Sequence, residues 1–327
     1  AGPDVGKMPP LEKLGNLDAI VLSHPHADHT GAIQEVLRLY GRNIPVYATK
    51  FTLEQLGIPR GIALPYKGKS KVLNIPVETG RSGHSIGGVW IRFGVEGGIL
   101  YMGDSSEASV AFMYDPPPAS DLVLFDASYG LYNQPTTLED EEWERVLSCE
   151  SVVFPVPANG RGLEFFVLFH QRNSHKIFID ETIHALLQYC LGDVSVYIKP
   201  EFLQELRHLV GKIEYSHCFK PRGRHVVANA DASGGRAGEW VSHWVQKTFP
   251  LFVFTGYVGE GTVAKRLLES KRAISLRWNV HPTLEENLKL LNKAHLGVPC
   301  FIKTPEIFSQ LEGVPAKIHW EDQPILF

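Results

Sequence analysis

The sequence predicts an α/β protein built as two domains. Three observations carry this. The chain has 327 residues, and at roughly 100–200 residues per domain that is enough for two. Short apolar runs alternate with amphipathic segments along its length, the pattern of strand and helix in turn. Apolar residues make up 44% and charged residues 21%, values of an ordinary folded protein that exclude general disorder.

The first buried strand is Ala19-Ile20-Val21-Leu22-Ser23. If the fold is the one the later motifs imply, one or two N-terminal strands are expected to be missing before it. A helix follows over residues 31–40, with Ile33, Val36, Leu37 and Tyr40 on one face. Residues 99–102 and 122–125 are strands, each stopping at an acidic residue, Asp104 and Asp126. Further strands are expected at 152–156, 176–179, 194–198, 225–228 and 251–254. Helices are expected between them at 163–171, 182–190, 239–247 and 263–269. A last helix starts at Thr283, with Glu286 three residues on forming a capping box. The Pro-rich 115–120 and the polar 133–142 read as connectors.

No apolar run approaches the ~20 residues of a membrane helix, and no basic-apolar leader is present. Cys149, Cys190, Cys218 and Cys300 are scattered without paired spacing. They read as reduced thiols of a cytoplasmic protein. With a net charge of −4, any nucleic acid would be held by a local basic groove, not by a basic surface overall.

The densest chemistry lies in Ser23-His24-Pro25-His26-Ala27-Asp28-His29-Thr30, where a buried strand gives way to a helix. While the chain is extended, alternate residues His24 and His26 project toward one point. Asp28 and His29, at the turn into the helix, project toward a second. Imidazole and carboxylate suit Zn²⁺, Mn²⁺ or Fe, zinc foremost. Two ligand pairs point to two ions, which in such sites lie about 3.5–4 Å apart. His84 in Gly83-His84-Ser85 and Asp104 in Gly103-Asp104-Ser105 are candidates to complete them.

H-x-H-x-D-H, then Gly-His, then Gly-Asp resembles the metallo-β-lactamase superfamily. The resemblance implies an αββα sandwich with a dinuclear site at one edge of its sheets. It assigns His24, His26 and His84 to one ion, Asp28 and His29 to the other, and Asp104 to both. Four later segments resemble the β-CASP nuclease branch, that of ribonuclease J and the pre-mRNA 3′-end endonuclease. These are Leu122-Val123-Leu124-Phe125-Asp126-Ala127-Ser128-Tyr129-Gly130, Ala158-Asn159-Gly160-Arg161-Gly162-Leu163-Glu164, Asp231-Ala232-Ser233-Gly234-Gly235-Arg236-Ala237-Gly238 and Phe254-Thr255-Gly256-Tyr257-Val258-Gly259-Glu260-Gly261-Thr262. A Gly-rich loop opening into a helix offers backbone N–H groups to a phosphate. Ser233, Gly234, Gly235, Gly261, Thr262 and Lys265, with Arg161, are therefore candidate phosphate contacts.

The resemblance also implies that His281 lies near the scissile phosphate, paired with Asp126. An imidazolium held by a carboxylate can protonate a leaving oxygen. One position departs from the pattern. Lys303 stands where RNA-cleaving members carry a further metal-binding His, and a protonated lysine cannot ligate a cation.

The expected organisation is a metallo-β-lactamase domain over 1–129 and 278–327 with a β-CASP domain inserted at 130–277, substrate lying in the cleft between them. The expected activity is hydrolysis of phosphodiester bonds in single-stranded nucleic acid by two-metal activation of water, RNA before DNA, with Asp28, Asp126 and His281 catalytic. The alternatives are a DNA exonuclease of the same fold, a small-molecule metallo-hydrolase, and a non-catalytic subunit of a processing complex. Expected partners are the single strand and a second copy or larger processing complex, with no membrane.

Overall fold

The computed structural model describes residues 11, 14–172, 176–216, 219–220, 222–247, 249–300 and 317–318. The chain forms two compact units. One combines the chain up to Pro135 with the chain from Val280 on; the other is Thr136–Asn279.

The first unit is layered helix, sheet, sheet, helix. Strands β1 (Ile20–Val21), β2 (Val46–Thr49) and β3 (Ile62–Leu64) pair in parallel in that order. Parallel neighbours need a crossover. It is supplied by α1 (Ala27–Thr30) and α2 (Ile33–Tyr40) for the first pair, and by α3 (Lys50–Gln55) for the second. The second sheet begins with β4 (Gly68–Val72), β5 (Ile75–Arg81), β6 (Val89–Phe93) and β7 (Ile99–Tyr101), an antiparallel meander. Strand β8 (Ser120–Asp126) joins β7 in parallel. After the second unit's strands, β9 to β14, the chain returns with β15 (Ala294–Cys300) and β16 (Lys317–Ile318), giving the order β16-β15-β8-β7-β6-β5-β4.

Strand alternation feeds three cores from these two sheets. Tyr47, Leu64, Val72, Val77, Val89 and Ile91 meet between the sheets. Val46 and Ala48, on the other face of β2, pack with Leu22, Ile33 and Leu53 on the helical side. Trp90, Leu100, Val123 and Phe125 turn outward to Leu291 of the last helix, α10 (Leu284–Leu291).

A polar clamp ties the end of β5 to the connector after β7. Asp115 Oδ2 accepts from Arg81 N (3.0 Å) and Nε (2.7 Å). Its Oδ1 accepts from Arg81 Nη2 (2.9 Å) and Lys67 Nζ (2.7 Å). Burial pushes this carboxyl up, but the Arg81 and Lys67 donors outweigh it and hold the group well below its usual range. A depressed carboxyl stabilises the fold above its unfolded value, near 3.8, and that stability is lost as pH falls further. Asp115→Asn is expected to cost roughly 2–3 kcal/mol at neutral pH, because it leaves Arg81 facing a neutral amide. It should also flatten the acid limb of stability below about pH 4; urea melts across pH 3–7 measure both effects.

The second unit is a parallel sheet in the order β11-β10-β12-β9-β13-β14. Its strands are β9 (Ser151–Pro155), β10 (Ile177–Ile179), β11 (Glu214–Tyr215), β12 (Gly223–Val227), β13 (Leu251–Phe254) and β14 (Ala273–Ser275). Its helices are α4 (Glu141–Ser148), α5 (Leu163–Gln171), α6 (Glu181–Cys190), α7 (Pro200–Leu209), α8 (Gly235–Trp244) and α9 (Val263–Glu269). Strands covered on both faces read as unbroken apolar runs, and β9 is buried at every position. Val153, Val227, Trp240, Phe252 and Phe254 form one core. Trp143, Phe154, Phe165, Phe169 and Trp278 interlock in another.

One expected strand is absent. Residues 194–198 instead contain a 3₁₀ turn, Ser195–Tyr197. The turn bonds of Gly192 O with Ser195 N and of Val194 O with Tyr197 N close it, and Pro200 at the start of α7 ends it. Val194, Tyr197 and Ile198 are buried by this turn, so the apolar run serves packing without a ladder. Cys149, Cys190 and Cys300 are free thiols; Cys218 and Lys303 lie outside the described residues. Among the described residues no helix is long and apolar enough to cross a membrane.

Candidate metal centre

Six side chains from three separate stretches of the first unit converge. His24 and His26 sit on the extended turn between β1 and α1, where His26 has φ −63° and ψ 149°. The Thr30 hydroxyl donates to His26 O at 2.9 Å, fastening that turn to the helix. Asp28 and His29 belong to α1 itself. His84 follows β5 and Asp104 follows β7.

A glycine precedes each of these last two for a steric reason. Gly83 has φ +73°, and a Cβ there would lie 2.1 Å from Ser106 O. Gly103 has φ +56°, and a Cβ there would lie 2.6 Å from Ser23 Oγ. Only glycine accepts both the left-handed backbone and the close approach.

The ligand atoms of these six form two groups that share Asp104, which also stands in a third group with Asp126 and His281. His24, His26, His84 and Asp104 bring one ligand atom each within 4.8 Å of one another, and so do Asp28, His29 and Asp104. Asp104 Oδ2 lies 3.7 Å from His24 Nε2 and 3.5 Å from His84 Nε2. Its other oxygen, Oδ1, lies 3.0 Å from His29 Nε2. One buried carboxylate therefore faces both groups, an oxygen to each. Asp28 completes the second group, 3.6 Å from His29 Nε2, with 63% of its side chain exposed.

These residues fit a divalent cation. His84 Nε2 and His26 Nδ1 stand 3.1 Å apart. Two nitrogens each about 2.0–2.1 Å from a tetrahedral ion would be about 3.3 Å apart. His24 Nε2 is buried and makes no hydrogen bond among the described residues. Burial, and then the neighbouring imidazoles, push His24 and His84 well below the usual histidine range. Both are thus neutral at pH 7, the form that ligates. His84 Nδ1 donates to Val280 O at 2.7 Å, which fixes the tautomer and turns the Nε2 lone pair inward. His29 differs. Burial opposes its charge, but Asp104 and Asp28 prevail and raise it.

His281 joins the same centre. Its Nδ1 lies 2.8 Å from Asp126 Oδ2 and 3.8 Å from Asp104 Oδ2. Asp126 ends β8 and is buried. Burial opposes its ionisation, but His281, then Ser128, keep it below the usual carboxylate range. Sequence reasoning missed three supports. The Tyr129 hydroxyl accepts from Val280 N at 2.9 Å, holding the peptide that carries the His84 acceptor. The Ser128 hydroxyl donates to Asp126 Oδ1 at 2.6 Å. Asn287 Nδ2 donates to Asp126 O at 2.9 Å. The signals were present: Ser128-Tyr129 lies in a segment already singled out, and Asn287 shares the apolar face of Leu284 and Leu291.

The candidate phosphate residues lie in the second unit. Gly235 opens α8, and Thr262 caps α9 by accepting from Lys265 N at 3.2 Å. The Ser233 hydroxyl donates to Asp231 Oδ1 at 2.7 Å, Lys265 Nζ pairs with Glu260 at 2.9 Å, and Arg236 pairs with Glu181 and Glu239. Arg161 is 8% exposed, and its Nη1 donates to Thr255 O at 2.7 Å. The guanidinium ties the loop after β9 to the loop after β13.

The sequence matches the Beta-lactamase superfamily domain over residues 1–60. It is 25% identical to the Ribonuclease TTHA0252 of Thermus thermophilus, with 95% of this chain and 83% of that protein covered. It is 24% identical to the RNase J-like protein of Methanocaldococcus jannaschii, covering 90% and 79%. It is 22% identical to the Transcription termination factor FttA of Methanosarcina mazei, with 82% of this chain covered. The chain spans about half the length, 52%, of that last protein. The chain is thus similar to a beta-lactamase superfamily domain at its start and to a ribonuclease and an RNase J-like protein over most of its length, and its His and Asp clusters are in keeping with that likeness.

Proposed function

We propose that the protein is a cytoplasmic metal-dependent ribonuclease that hydrolyses phosphodiester bonds in single-stranded RNA. The observation that carries this is the Asp104 carboxylate, with one oxygen toward each ligand group and His281–Asp126 beside it. Zinc ions held by His24, His26, His84 and Asp104, and by Asp28, His29 and Asp104, would supply Lewis-acid stabilisation of charge developing on the phosphodiester. Asp28, the exposed carboxylate of the six, orients the attacking water and accepts its proton. His281, with Nδ1 committed to Asp126, has Nε2 as the nitrogen that protonates the leaving oxygen. Ser128, Tyr129 and Asn287 hold this pair and His84 in place. In the second unit, backbone N–H groups at the openings of α8 and α9 serve the phosphates of the strand. The names of two relatives, a ribonuclease and an RNase J-like protein, support RNA as substrate.

Zinc- or manganese-loaded protein incubated with 5′- and 3′-labelled single strands of RNA and DNA of one sequence tests the reading. RNA should be cut, DNA more slowly, and chelation should stop both. Turnover of neither strand, with rapid hydrolysis of a thioester or lactam, would replace the ribonuclease by a small-molecule hydrolase.

A further inference from the structure

We infer that the outer edge of the seven-stranded sheet is a phosphate-tracking strip for single-stranded RNA, leading into the metal centre; this rests on the ribonuclease reading above. Strand β4 is an edge, paired with β5 alone. Lys67, just before it, and Lys69 and Lys71 within it are exposed, while Val72 is buried between the sheets. Alternate residues share a face, so Lys69 and Lys71 line one side about 6.7 Å apart, while Lys67 is held by Asp115. That step is comparable to the phosphate spacing of an extended single strand.

The carboxylates on this side are already answered. Glu78, opposite Lys69 in register, accepts from Arg92 Nη2 at 2.5 Å. Asp115 accepts from Arg81 and Lys67. Lys69 and Lys71 have no carboxylate partner among the described residues. These two lysines are unanswered cations on a chain whose net charge is −4. Tyr66, 39% exposed with the Arg81 guanidinium 5.7 Å from its ring centre, offers an aromatic face to a base.

The strip also has a direction. Lys71 pairs with Pro76 and Lys69 with Glu78. From there β5 runs on to Arg81, three residues before His84. A strand whose phosphates follow the lysines from the 73–74 turn is thereby led toward the centre. Lysines on an edge strand also discourage sheet-to-sheet pairing, but that role needs no ligand, and RNA binding separates the two.

The test is fluorescence anisotropy of the whole protein in chelator with labelled single-stranded RNA, one short and one long. Lys69→Ala/Lys71→Ala should weaken binding of the long RNA about tenfold at low salt and reduce its log K–log salt slope by about 1.4, the share of two phosphate contacts. Short-RNA affinity and its cleavage on adding metal should not change. Lys69→Arg/Lys71→Arg should restore the long RNA. Unchanged affinity and slope in the alanine variant, with cleavage intact, overturns the strip and leaves the ribonuclease standing. Loss of long-RNA binding by the variant, with no cleavage by the wild type, keeps the strip and removes the ribonuclease. A variant that loses binding only to anionic phospholipid vesicles, or a wild type that binds no RNA, overturns the strip.

Discussion

Asp104→Asn is expected to abolish hydrolysis and metal-induced stabilisation together. The carboxylate stands 3.5–3.7 Å from His84 and His24 through Oδ2 and 3.0 Å from His29 through Oδ1. Asparagine keeps the shape, but it replaces one acceptor with a donor and removes the negative charge that belongs to both ligand groups. The other five ligand candidates each belong to one group, so any of them should leave the second group whole; Asp104 should not. Turnover should fall by at least about 10²–10³-fold, the scale on which one electrostatic group acts in a closed site. Stability provides the independent readout. Wild-type protein at a metal concentration 100 times its dissociation constant gains about 2.7 kcal/mol, visible as a raised melting temperature. The variant should lose that gain, while its metal-free melting should fall only by what the Asp104–His29 pair contributes, since His24 and His84 are neutral already. Thermal melts with and without zinc, with elemental analysis, measure this; a variant that keeps both its metal content and its turnover would remove Asp104 from its bridging place.

What the sequence made legible was local. In H-x-H-x-D-H the ligands sit within six residues, and the change from extended to helical backbone alone sends 24 and 26 one way and 28 and 29 another. The Gly-His and Gly-Asp pairs were legible for a reason that appears only in three dimensions: Ser106 O and Ser23 Oγ occupy the space a Cβ would need at Gly83 and Gly103. Distant partners without a side-chain signature were not legible. The His84 acceptor is a backbone carbonyl 196 residues away, and a carbonyl belongs to every residue. Arg161 announced a cation, but not that it would turn inward to Thr255 O. The bare backbone at Gly256 makes that possible, since a Cβ there would lie 2.5 Å from the guanidinium. Residues 194–198 had strand composition, and the burial of Val194, Tyr197 and Ile198 was met by a turn instead. Propensity yielded to tertiary packing there.

His281→Ala should slow RNA cleavage by about 10²–10⁴-fold, the usual contribution of a positioned acid, with metal content unchanged. The expectation follows from how the pair is built. Asp126 is buried, stays ionised against that burial, and holds Nδ1 at 2.8 Å, so the ring keeps one orientation. Two readouts separate an acid from a residue that merely fills space. A general acid works only while protonated, so the wild-type rate should fall as pH rises past the point where it loses its proton; the variant, already without that proton, should lack this limb. A ribose leaving group needs protonation but a p-nitrophenolate does not. The variant should therefore cleave a p-nitrophenyl phosphodiester at close to the wild-type rate while failing on RNA. Asp126→Asn should show the same leaving-group dependence in weaker form, because the ring remains but its charged form has lost its partner. Equal losses on both substrates, or a high-pH limb that survives the substitution, would return His281 to a structural role and move the proton donor elsewhere in the site.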